Sequence, residues 1–225
     1  MARPALAVRL IANADALLRG EGPYAAGRGV VPWPKLLALV AVGGFAYGAV
    51  MGSYGVRALQ AFYSASKVPL LLLFATIVCL PNFYVVNVLL GLRDDFSAAC
   101  RGIFAAQATL AVTLATLAPI TIVVYLSIDG YDGAIVCNGV MFLVATITAQ
   151  IALGRHYRAL IATNPRHRLG RAAWMVLYVF VAIQLAWVLR PFVGSPNMAT
   201  HFFREDAWSN AYIEVFLAVA RVFGA

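Results

Sequence analysis

Five stretches of this chain, residues 36–54, 68–90, 102–126, 134–154 and 172–189, are apolar over lengths near the ~20 residues that cross ~30 Å of hydrocarbon. That pattern leaves little choice of fold. In lipid a backbone amide meets no water, so a spanning segment must satisfy its own hydrogen bonds, as an α-helix does. At 63% hydrophobic and 12% charged, against roughly half and a quarter in globular domains, the chain could not cover itself with polar surface. The expected fold class is therefore all-α: a polytopic transmembrane helix bundle of about five spans over residues 36–190. A cytoplasmic amphipathic helix and linker (1–35) precede it, and an outer-face tail with an interfacial helix (191–225) follows.

Residues 1–19 read as a helix on the membrane surface rather than as a signal peptide. Arg9, Asn13 and Asp15 interrupt the apolar run a signal needs, and no small-residue cleavage site follows. At 100° per residue Leu6, Leu10, Ile11, Ala14, Leu17 and Leu18 share a face that Arg9, Asp15 and Arg19 avoid. The Gly- and Pro-rich stretch 21–34 reads as a linker, with Trp33 and Lys35 suited to the headgroup layer. Orientation follows from Lys and Arg, which are retained on the cytoplasmic side. With the N-terminus cytoplasmic and the C-terminus outside, twelve of the seventeen basic residues lie inside with four acids, and five lie outside with five acids. The whole net charge of +8 then sits on the cytoplasmic face. The asymmetry accounts for the basic character without nucleic acid. The inner loop 154–171 gathers arginine where anionic lipid attracts each such residue by ~1 kcal/mol.

Beyond the fifth span Pro191 and Pro196 interrupt the helix. From Asp206, read as an N-cap, the residues Trp208, Tyr212, Val215, Phe216, Val219, Val222 and Phe223 recur at helical spacing on one face. Glu214 and Arg221 lie off that face, and burying both in a sixth span would cost ~2.5–3.5 kcal/mol each. The helix is expected on the outer surface or against the bundle.

Gly44, Gly48 and Gly52 in the first span repeat every four residues and form a flat groove for close helix packing, filled by a helix of the same chain or of another subunit. In the second span Pro81 removes a backbone donor and frees the carbonyl of Ile77. Asn82 and Asn87, with Gln107, Asn138, Gln150 and Gln184 from other spans, form a candidate polar seam, either structural glue or the lining of a cavity. None of the five stretches holds an Asp, Glu, Lys, Arg or His, which argues against proton relays and voltage sensing.

Enzyme chemistry finds no support either. His156 and His167 are expected in the inner loop and His201 in the outer tail, and no nucleophile elbow, HExxH or phosphate loop occurs. Asp129 and Asp132 read as a turn, since two carboxylates fall short of the six to eight oxygens calcium takes. Cys79, Cys100 and Cys137 have no paired or zinc-like spacing. No catalytic residue, metal or cofactor is expected.

Arg190, Phe192, Phe202, Phe203, Arg204 and Trp208 combine aromatic rings with arginine near the last span. The composition suits a partner contact and suits a membrane interface equally. The strings KVPLLLL (67–73), LPNFYVVNVLLGL (80–92), QLAWVLRPFVGSPN (184–197) and FFREDAWSNAY (202–212) resemble an uncharacterised family of bacterial polytopic membrane proteins. That resemblance implies a bacterial inner membrane and no activity. Five spans with the N-terminus inside also look topologically similar to the Yip1 family. Two functions are expected from these features: a scaffold or accessory subunit of a larger membrane assembly, or an oligomeric conduit for a small solute, ion or lipid. Expected partners are the bilayer, anionic lipids on the cytoplasmic face, and other membrane subunits or further copies of the chain.

Overall fold

The computed structural model describes residues 6–24, 32–128, 130–195, 198–204 and 212–213. Among them the structure is all helical: α1 (Leu6–Arg19), α2 (Trp33–Gly52), α3 (Ala58–Leu89), α4 (Phe96–Ser127), α5 (Tyr131–Thr163) and α6 (His167–Val188). Single 3-10 turns stand at Gly22–Tyr24 and Arg93–Asp95. Helices α2 to α6 are each long and apolar enough to cross a membrane, as an integral membrane protein requires.

Local chemistry sets the helix ends. Proline stands in the first turn of α2, where its missing N–H leaves no bond unmade. At the other end of α3, Gly91 adopts a left-handed φ of 72°. Its N–H donates to the carbonyl of Val88 at 3.0 Å, and that of Leu92 reaches back to Asn87 at 2.8 Å. These two bonds satisfy carbonyls a helix terminus would otherwise leave open.

Successive helices reverse direction, so the bundle has two poles. At the tail pole Tyr125 donates to the carbonyl of Met51 at 3.0 Å, and Tyr131 donates to that of Val193 at 3.1 Å. At the basic pole Arg166 donates to the carbonyl of Leu90 at 3.2 Å, and His167 meets Asp95 at 3.0 Å. Helix α2 packs on α3 and α4, α4 also carries α5, and α3 carries α6. The inward side of α4 is rich in small residues, among them Gly102, Ala105, Ala108 and Ala111, and small side chains let helices approach closely in lipid. Helices α5 and α6 meet only lightly, which leaves the ring open on that side.

Two expectations are corrected by helix length. Helices α3, α4 and α5 run for 32, 32 and 33 residues, about 50 Å at 1.5 Å per residue. That exceeds the ~30 Å of hydrocarbon, so hydropathy marks where lipid begins rather than where a helix stops. Helix α3 starts ten residues ahead of the expected span and includes Lys67, which is fully buried. The supposed inner loop shrinks to residues 164–166, placing His156 inside α5 and His167 at the start of α6.

Helix α1 docks at the basic pole against α4. Its expected face divides: Leu17 is buried, while Ile11 and Leu18 are exposed. Tyr24 donates to the Oδ1 of Asn13 at 3.0 Å, and Arg155 donates to the carbonyl of Leu18 at 3.2 Å. Most of the candidate C-terminal helix, including Asp206 and Trp208, lies outside the described residues.

Candidate functional site

The glycine groove on α2 is occupied from within. A Cβ built on Gly48 would stand 2.3 Å from the carbonyl oxygen of Ser64, and one on Gly44 would meet the backbone of Pro69 at 3.1 Å. Gly52 faces Gln60 and Ser64 in the same way. All three glycines let α3 approach, and the surface they form is closed to another subunit.

The polar residues expected to form one seam do not share a surface. Asn138 is buried and accepts from Tyr47 Oη at 2.8 Å, while its Nδ2 donates to Tyr125 Oη at 2.5 Å and to the carbonyl of Ala134 at 2.7 Å. Gln107 accepts from Tyr178 Oη at 3.1 Å. Asn87 is buried and donates to the carbonyl of Phe83 at 2.8 Å. Gln150 and Gln184 are half-buried on α5 and α6. Asn82 is exposed beside Pro81, because Cys79, Phe83 and Asn87, at four-residue intervals, are the positions α3 turns inward. Tyrosine hydroxyls, which a scan for Asn and Gln passes over, complete the two best-satisfied sites.

At the tail pole α3 displays a polar stripe that sequence reading missed. Arg57, Gln60, Ser64 and Lys67 fall at i, i+3, i+7 and i+10, one side of a helix. They grip the segment after α6. Arg57 donates to the carbonyls of Ser195 at 2.6 Å and Met198 at 2.8 Å. Gln60 donates to the carbonyls of Pro191 at 3.1 Å and Phe192 at 3.2 Å, and Ser64 also donates to Phe192. Lys67 Nζ lies 2.8 Å from the carbonyl oxygen of Pro191 and 4.8 Å from the ring centre of Phe202.

The candidate contact cluster is thus partly engaged inside the chain. Phe202 packs edge-on against Tyr63 at 5.3 Å and against Phe203 at 4.8 Å. The Arg190 guanidinium lies 3.1 Å from the centre of the Trp187 ring. Phe203 and Arg204 stay exposed, and Trp208 lies outside the described residues.

Where α5 and α6 fail to close, a cavity of about 1030 Å³ opens beneath the tail. Ile135, Asn138, Gly139 and Phe142 line it from α5, with Leu71 of α3 and Ala186 of α6. A Cβ on Gly139 would meet nothing within 4 Å, unlike those on the α2 glycines. Its volume is that of a small-ligand pocket. The free cysteines are buried, and among the described residues no three His, Cys, Asp or Glu side chains gather to hold a metal. No family model, no curated protein and no solved structure matches this chain.

Proposed function

We propose that this chain is a non-enzymatic integral membrane protein that serves as a scaffold or accessory subunit, completed by another membrane-embedded helix along α5 and α6. The open slot between those helices carries the reading. Elsewhere the helices are closely packed: the glycine groove is full and the buried Asn138 and Gln107 have tyrosine partners. Helix α6 is the least buried of the five long helices, and Val176, Val179 and Ile183 stand exposed on it. Without a driving force between apolar surfaces in lipid, association rests on close packing, and below the tail the slot offers a concave surface for it that no other described residue fills. The excess of positive charge at the basic pole supports placing that pole and the N-terminus on the cytoplasmic side of a bacterial inner membrane. The exposed apolar edge of α1 supports its lying on the lipid there.

Gly139→p-benzoylphenylalanine puts a photoreactive ring into the slot without displacing a neighbour. Illumination in native membranes is expected to yield an adduct with a polypeptide, identified by mass spectrometry as a second copy or another subunit. Adducts with lipid alone would overturn docking and favour the second reading, a conduit for a small solute, ion or lipid. The volume of the cavity and the Asn138 side chain in its wall favour that alternative. Under it Gly139→Phe should stop flux in reconstituted vesicles.

A further inference from the structure

The slot changes character at the basic pole. A second hollow there, of about 850 Å³, is walled by Gln150, Arg155 and Arg158 of α5 and by Arg168 and Arg171 of α6. Ile147 and Ile151 continue its α5 wall toward the middle of the bundle. On each helix the two arginines are three residues apart, so folding points two pairs of guanidinium groups into one space. Among the described residues the ion pairs are Arg19 with Asp15 and His167 with Asp95, so no carboxylate answers these four. Arg155 donates to the carbonyl of Leu18. The Nε of Arg171 and the Oε1 of Gln150 are buried and meet no hydrogen-bond partner. Like charges around one hollow repel, and a buried donor without an acceptor is destabilising. An anion in the hollow removes both penalties. The isoleucine wall further selects an anion that carries an apolar tail.

We propose that this cleft binds the phosphate headgroup of an anionic glycerophospholipid, with Arg155, Arg158, Arg168 and Arg171 on the phosphate and the acyl chains along Ile147 and Ile151. Guanidinium forks match phosphate oxygens two at a time, and pairs from two helices suit a group with several acceptors. The inference rests on the bundle spanning a bilayer. It is independent of what fills the upper half of the slot, which the adduct at position 139 decides.

The test uses the full chain in mild detergent, with phosphatidylglycerol, phosphatidylcholine or inorganic phosphate added at equal concentration. Retained lipid is read by native mass spectrometry and stability by thermal melting. Phosphatidylglycerol alone is expected to be retained and to raise the melting temperature. Arg168→Gln with Arg171→Gln should weaken retention about thirtyfold, or about fivefold for each arginine. Arg9→Gln with Arg19→Gln removes the same charge from α1, at the same pole, and should leave retention unchanged. If the first double variant does not fold, Ile151→Trp narrows the cleft with its charge intact and should also lose the lipid. Equal retention of phosphatidylcholine, or undiminished retention by both cleft variants, overturns the proposal. A stabilisation by inorganic phosphate equal to that by lipid would make this a free-anion site and overturn it likewise.

Discussion

A lysine ammonium inside a helical bundle is costly unless its charge is answered, and Lys67 is answered by a carbonyl and an aromatic face rather than by an acid. The arrangement makes Lys67 a latch for the tail. Lys67→Met keeps the bulk and removes the donor, leaving Gln60 as the remaining side-chain partner of the Pro191 carbonyl. Loss of one such bond, at ~1 kcal/mol, should raise the maleimide labelling rate of a Ser195→Cys reporter by about fivefold. An unchanged rate would show that Arg57, Gln60 and Ser64 hold the tail without Lys67. Asn138 has a comparable role deeper in the bundle, where it joins tyrosines from α2 and α4. Asn138→Leu removes the acceptor of the Tyr47 hydroxyl and one of the two partners of Tyr125, which keeps its bond to Met51, and should lower detergent stability by ~1–3 kcal/mol. Tyr47→Phe, which removes only one partner, should cost less in the same melt.

Among the elements, the contact of α2 with α3 is set by side chains that are absent. Gly48→Ala would force a methyl to within 2.3 Å of a backbone oxygen, an overpacking that costs ~1–3 kcal/mol. Gly139→Ala, into open space inside α5, should hold the melting temperature or raise it slightly. Equal melting of the two variants would mean that α3 slides freely along α2. The four-residue glycine spacing is legible in the sequence as a packing surface, because it is a property of one helix. Which helix fills it is not, because that depends on how the chain folds back. The same limit explains Asn82: its inward or outward placement is decided by the side α3 gives to α2 and α6, and the run 80–92 is apolar all round. The tail-gripping stripe on α3 is readable from its spacing, yet the expected span begins at residue 68 and cuts the stripe away from its helix.

For the whole molecule, five helices long and apolar enough to cross a membrane are legible from apolar runs alone, while their true ends are not, since α3, α4 and α5 run on past their apolar stretches. Sidedness remains a matter of charge. A reporter placed in residues 164–166 is expected to read cytoplasmic, and one fused after Ala225 to read outside. The second result bears on span number. Tyr212 stacks on Phe180 at 4.6 Å and donates to its carbonyl at 2.6 Å. Phe180 lies eight residues before the end of α6, about 12 Å along its axis. The tail therefore descends beside α6 at that point. A cytoplasmic reading at Ala225 would mean that the descent continues across the membrane and the spans number six.

The grip of α3 on the tail also has an evolutionary face. Arg57, Gln60, Ser64 and Lys67 bind the carbonyls of Pro191, Phe192, Ser195 and Met198, and a carbonyl is the same whatever side chain it carries. Mutational tolerance should therefore be lopsided. Saturation mutagenesis scored by folded yield is expected to show a permissive tail at residues 195 and 198 facing a restrictive stripe at 57, 60, 64 and 67. Gly194 should be the exception on the tail side, since a Cβ there would come within 2.8 Å of Gln60. Related chains that keep the stripe would then be free to vary the tail's outward side chains, changing what that pole presents while keeping the way it is held.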